Sequence, residues 1–224
     1  MPANARLSGR RVLITGEDEI LTQRLGRVLT FSEAVVAINS AEGPDSTRIV
    51  RAAVRELGGV DVLINTGPPW IPEEGSNPWA VRRGVEKALQ RSMSILVTAT
   101  EAALPALNER ASIINTVAFS TPGLLLTRGQ EALATAVLET TQGWAQTLGP
   151  RGIRVNAVVG GPRWDPDLEP LFDQEHHHEP AMTDFEELDA FVYLASEEAC
   201  HVSGSVLAVA RPLAPEEVGP GSRG

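Results

Sequence analysis

The chain has 224 residues, 42% of them hydrophobic, which is enough for one substantial core and too few for two comfortable domains. A formal charge of -10 and a pI near 4.9 exclude the basic surface that nucleic acid or an anionic membrane selects. No apolar run approaches the roughly 20 residues of a membrane span, the first eleven residues lack a signal-peptide stretch, and the single Cys200 excludes an internal disulfide, so a cytoplasmic location is expected.

In chain order, short apolar runs alternate with longer stretches of helical spacing. Residues 11–16 predict a strand running into a turn, followed by a helix over 21–30 and a strand over 35–38. A helix over 47–57 and a strand over 60–65 come next. The long helix predicted over 79–107 carries Val81, Val85 and Leu89 at i, i+4 and i+8. Strands over 111–116, 153–159 and 205–209 then alternate with helices over 130–148 and 184–196. Six strands with helices between them predict an α/β fold, a doubly wound parallel sheet covered on both faces. One domain is expected over 1–212, and the Pro- and Gly-rich tail over 213–224 is expected to be disordered or to dock on a partner.

Four segments occur in a recognisable order: the run from Leu7 to Gly16, the strand end Asp61-Val62-Leu63-Ile64-Asn65-Thr66-Gly67, the segment Gly152-Ile153-Arg154-Val155-Asn156-Ala157-Val158, and the run from Ala195 to Leu207. Over nearly its whole length the chain thereby resembles the short-chain dehydrogenase/reductase (SDR) family, which implies a Rossmann-like fold and nicotinamide-dependent redox chemistry. The family's third, edge strand and its adjoining helix find no room between Asn39 and Asp61, so they are expected to be missing, leaving a new sheet edge exposed.

The resemblance fails where it implies chemistry. The positions of the family's Tyr and of the Lys four residues later hold Gln130 and Ala134, and because Tyr193 and Lys87 are the only residues of their kinds, no Tyr-x-x-x-Lys pair exists in the chain. The position of the family Ser falls at Ala118 or Val117, with Ser120 the nearest hydroxyl, and that of the helix Asn falls near Gln90. The family's Thr-Gly-x-x-x-Gly-x-Gly turn becomes Thr15-Gly16-Glu17-Asp18-Glu19-Ile20-Leu21-Thr22. Side chains at Ile20 and Thr22 take space that phosphates need, and three carboxylates repel a pyrophosphate, so no cofactor is expected. The same acids also favour the start of a helix through its macrodipole.

These departures imply a non-catalytic subunit that assembles with an active SDR homologue through helices 79–107 and 130–148, where Ala132, Ala136 and Gly143 permit close approach and Trp144 can anchor. A second expectation is a non-redox enzyme that holds a small-molecule ligand in the vacated cleft, in a pocket of Asn65, Trp70, Ser120, Gln130 and Trp164. The stretch Val85 to Gln90 resembles halohydrin dehalogenases in this respect. A third is a divergent NAD(P)-dependent reductase with a relocated site. Adjacent His176, His177 and His178, between Glu175 and Glu179, rarely converge on one ion, so no metal site is expected and an exposed acidic loop is.

Overall fold

The computed structural model describes residues 5–39, 46–67, 78–117, 128–160 and 182–209. The elements are β1 (Arg11–Gly16), α1 (Glu19–Phe31), β2 (Val35–Asn39), α2 (Ser46–Leu57), β3 (Val60–Thr66), α3 (Pro78–Ala103), β4 (Leu107–Val117), α4 (Arg128–Leu148), β5 (Arg154–Gly160), α5 (Met182–Ala195) and β6 (Val206–Val209). Six strands form one parallel sheet in the order β2-β1-β3-β4-β5-β6. This is the expected Rossmann-like architecture. β2 and β6 are the edge strands, and α2 leads directly into β3.

Alternation along each strand divides the core between two faces. Val12, Ile14, Val62, Ile64, Ile114 and Val158 pack with Leu21, Leu25 and Val28 of α1 and with Leu188 and Phe191 of α5. Leu13, Leu63, Ile113 and Val155 point the other way, onto Val50 of α2, Ala99 and Ala103 of α3, and Leu148 of α4. Burying each of the larger side chains contributes roughly 1.5–3 kcal/mol. Strands apolar on both faces are what a helix-covered parallel sheet requires.

The long helix expected over 79–107 ends at Ala103 instead. Pro105 lacks the N–H that would continue the ladder, and a short 3-10 turn over Leu104–Ala106 turns the chain into β4. β4 is longer than expected, and its pairing with β3 shifts register between Val60 and Val62, close to Arg110 at φ 62°.

The amino edge of the sheet is tied down by polar groups. Arg154 donates to the carbonyls of Leu194 (3.0 Å) and Ser196 (3.1 Å), while Arg10 pairs with Glu197 and Arg6 with Asp189 and Glu198. Asp61 accepts from the backbone N–H of Arg11 at 2.8 Å, its guanidinium at 3.1 Å and the Asn108 amide at 2.5 Å. Burial alone pushes the Asp61 carboxyl up, but these donors outweigh it and hold the group below the ordinary carboxylate range. A carboxyl depressed on folding adds stability above its unfolded pKa and loses it as pH falls through the lower folded value. Asp61→Asn is therefore expected to be less stable at neutral pH and to show a shallower loss of stability on acidification. Denaturant midpoints measured from neutral to acid pH would check this, and parallel curves for the two proteins would refute it.

Candidate functional site at the carboxyl edge of the sheet

β2 lies to one side of β1, and β3 to β6 run away on the other, so the order of the sheet reverses between β1 and β3. Open α/β sheets bind ligands at the carboxyl ends of their strands at such a point. Here the two strands come very close. Gly16, at φ +140°, lies where an added Cβ would sit 1.9 Å from the Thr66 carbonyl oxygen. The Thr66 hydroxyl donates to the Thr15 carbonyl at 3.1 Å and lies 3.3 Å from the Thr22 hydroxyl, which closes the seam from the α1 side.

The acidic run after Gly16 is divided among different partners. Asp18 caps α1, its carboxylate accepting the Leu21 N–H at 3.0 Å. Burial raises its carboxyl above the ordinary range, offset in part by that N–H. Glu19 faces outward and accepts from the Gln23 amide at 3.1 Å, and Ile20 is exposed. Glu17 turns inward. Its side chain is 9% exposed and meets Arg91 Nε of α3 at 2.6 Å.

Beneath this edge lies a fully buried hydrogen-bonded chain. Asn65 accepts from the Thr15 hydroxyl at 2.9 Å and donates to the Thr100 hydroxyl at 3.1 Å and to Asn115 Oδ1 at 2.9 Å. The Asn115 amide in turn donates to the Thr141 hydroxyl at 3.0 Å. Three strands and two helices are thereby pinned to one another. Among the described residues, four buried side-chain polar atoms have no hydrogen-bond partner. Arg10 Nε is at the amino edge, while Asn39 Nδ2, Ser92 Oγ and Thr116 Oγ1 lie toward the carboxyl ends of the strands. Ser92 Oγ is 3.6 Å from where a Cβ on Gly67 would stand, and the Thr116 carbonyl is 3.9 Å from that point. Leaving a buried hydroxyl unpaired costs about 1–3 kcal/mol, so these groups mark places where a ligand or water can be recognised.

Of the residues singled out from the sequence, Asn65 is placed in the buried chain just described, with its amide engaged by three neighbours. Gln90 is an exposed residue of α3, and Ala134 packs against the apolar contact of Leu96 with Leu133 and Val137. Gln130 lies in α4, but its side chain is outside the described residues. Trp70, Ala118, Ser120, Trp164, the three adjacent histidines and the tail from Leu213 also lie outside them. Sequence reasoning passed over Arg91 and Ser92. A signal for Ser92 was present, because Ser92, Leu96, Ala99 and Ala103 form one buried stripe of α3, and a hydroxyl on such a stripe must find a use. Among the described residues no three His, Cys, Asp or Glu side chains cluster as a metal site, and no helix is long and apolar enough to cross a membrane. A groove of about 310 Å³ lined by Gln142, Ala145, Gln146, Ser203 and Gly204 lies toward the amino edge, away from this site.

A family model described as enoyl-(acyl carrier protein) reductase matches residues 3–211. The chain belongs to the short-chain dehydrogenase/reductase family. It is 27% identical to the uncharacterized oxidoreductase YhxD of Bacillus subtilis, over 92% of this chain and 83% of that protein. It is 27% identical to glucose and ribitol dehydrogenase of Daucus carota over 71% of this chain, but the match spans only 58% of the carrot protein. The same 58% share holds for the oxidoreductase YhdF of B. subtilis. NADPH-dependent aldehyde reductase 1 of Arabidopsis thaliana is 26% identical over 78% of this chain and 72% of its own length. A short-chain dehydrogenase from Mycobacterium smegmatis superposes with a TM-score of 0.65 at 20% identity, over 94% of this chain and 95% of that one. These matches correct the expectation of a non-catalytic subunit built to complete an active homologue. The family model and the relatives point to an oxidoreductase.

Proposed function

We propose that the chain is an oxidoreductase of the SDR family that interconverts a carbonyl and an alcohol on a small polar substrate at the carboxyl edge of its sheet. The observation that carries this reading is the set of unspent buried groups there, Asn39 Nδ2, Ser92 Oγ and Thr116 Oγ1, in a chain whose family and relatives are oxidoreductases. In this reading the reaction proceeds without the family's Tyr-x-x-x-Lys pair. Tyr193 belongs to the end of α5 that meets the start of β4, where Leu194 accepts from Ser112, whereas Lys87 is exposed on α3. Hydroxyls at the edge would then orient the substrate oxygen.

The family implies a nicotinamide dinucleotide, as the name of the Arabidopsis relative states for that protein. The β1–α1 turn, as arranged, does not fit its pyrophosphate. The Leu21 N–H already serves Asp18, and Glu17 stands inward beside Gly16. The test of the proposal is turnover. Purified protein supplied with excess NADPH or NADH and a panel of aldehydes, ketones and sugars should consume reduced coenzyme only when a carbonyl substrate is present. Failure of every pair at saturating coenzyme would overturn it.

A further inference from the structure

β2 closes one side of the sheet and, among the described residues, pairs with β1 alone. The Val35 N–H donates to the Arg10 carbonyl at 2.8 Å, so Val35, Ala37 and Asn39 turn their backbone groups onto β1. Val36 and Ile38, which lie between them, turn theirs away from the sheet. The strand is also apolar on the outside. Among the described residues, Val35 and Ile38 are two of the exposed large hydrophobic side chains, at 54% and 49%, and three positions apart they stand on opposite faces of β2. Monomeric proteins blunt such an edge with lysine, proline or a bulge. Ala34-Val35-Val36-Ala37-Ile38-Asn39 contains no charge and no proline, and it runs in unbroken register with β1.

We infer that β2 is a homodimer interface, where β2 of a second copy pairs antiparallel about a two-fold axis and joins the two sheets into one. The edge is self-complementary in one register. The Ala34 N–H is spent on the Leu29 carbonyl at 3.0 Å, which leaves Val36 and Ile38 as the residues with both backbone groups to offer. Placing Val36 of each copy opposite Ile38 of the other uses every one of these groups. Placing Val36 opposite Val36 would instead set the Ile38 carbonyl against the spent N–H of Ala34. In the first register the axis passes at Ala37, the smallest side chain of β2, where facing strands come within about 4.5 Å between Cα atoms. Charge agrees with the antiparallel sense. Exposed Glu33 precedes β2, while α2 starts from the opposite end of that strand with exposed Arg48 in its first turn. The two-fold axis therefore brings Glu33 of each copy to the Arg48 end of the other. The edge between them is uncharged, so it adds no repulsion in a chain of net charge -10.

Sedimentation equilibrium of the full chain should give twice the 23.9 kDa of one copy. Ile38→Pro removes an outward N–H and leaves every bond to β1, so it should return the mass to that of one copy with the far-UV circular dichroism unchanged. Val35→Lys puts a charge on the edge and should raise the dimer dissociation constant by about tenfold. Val206→Lys, at the exposed position of the opposite edge strand, should leave the dimer intact. Register has its own readout. In a Cys200→Ser background, Ala37→Cys should oxidise to a covalent dimer, because residues facing each other at that spacing lie within disulfide reach. Val35→Cys is more exposed but faces Asn39 of the second copy, and it should cross-link far less. The two cysteine variants leave the backbone untouched, so they decide the matter whether or not the proline variant folds. A native chain with the mass of one copy, a dimer that survives Ile38→Pro in a folded protein, dissociation by Val206→Lys, or cross-linking at position 35 in preference to 37 would each overturn the inference.

Discussion

Replacing Gly16 by alanine is expected to lower the stability of the protein by about 3–5 kcal/mol, a drop in Tm of roughly 10 °C for a chain of this size. Two costs combine. The backbone at φ +140° is a conformation that side-chain-bearing residues rarely adopt, and the new methyl would stand 1.9 Å from the Thr66 carbonyl oxygen and 2.0 Å from its hydroxyl. No trimming of Thr66 relieves the first contact, because the carbonyl belongs to β3 and cannot leave without unpairing the strand. Gly26 provides the contrast. A Cβ there would meet only Ile38 Cδ1, at 2.7 Å, the far end of a flexible side chain, and Ala in a helix gains about 1 kcal/mol over Gly. Gly26→Ala should therefore stay within about 1 kcal/mol of the native chain. Thermal melts of the two variants decide the matter, and a Gly16→Ala protein that melts with the native one would mean that β1 and β3 do not meet this closely at their carboxyl ends.

Sequence pattern carried the fold further than it carried the site, for a physical reason. Alternating Val, Leu and Ile in residues 12–14 and 62–64 fixes both faces of the sheet locally, so strands and their order in the chain can be read residue by residue. Pro105 is a legible helix stop, but apolar spacing continues past it to Leu107 and masks the end of the helix. The site depends on pairs distant in the chain. Glu17 meets Arg91 only after β1, β3 and α3 have assembled, and nothing in the period of α3 marks an exposed arginine as the partner of a buried acid. The acids at Glu17, Asp18 and Glu19 are visible in the sequence as a group, whereas their division into an ion-paired side chain, a helix cap and a solvated side chain depends on the assembled fold. Losing the tyrosine and lysine was certain from composition, but composition does not say what an edge with three unspent buried polar groups can still recognise.

The second large effect is expected at Asn65, where leucine of the same branching should cost about 3–5 kcal/mol despite adding apolar surface to a buried position. The change strips an acceptor from the Thr15 hydroxyl and donors from the Thr100 hydroxyl and Asn115 Oδ1, and none of these groups can reach water. Asn115→Leu should cost somewhat less, since it orphans the Thr141 hydroxyl while Asn65 keeps Thr15 and Thr100. Because both single variants break the same Asn65–Asn115 bond, the double variant should fall short of their sum by about 1–2 kcal/mol. Urea midpoints with unchanged m-values would measure that coupling, and strict additivity would show that the two amides do not share the bond. The consequence extends to the edge above. The same amides hold β1, β3 and β4 against α3 and α4, and α3 carries Arg91 and Ser92. A network loosened by Asn65→Leu should therefore also loosen the contact of Arg91 on α3 with Glu17 of the β1–α1 turn.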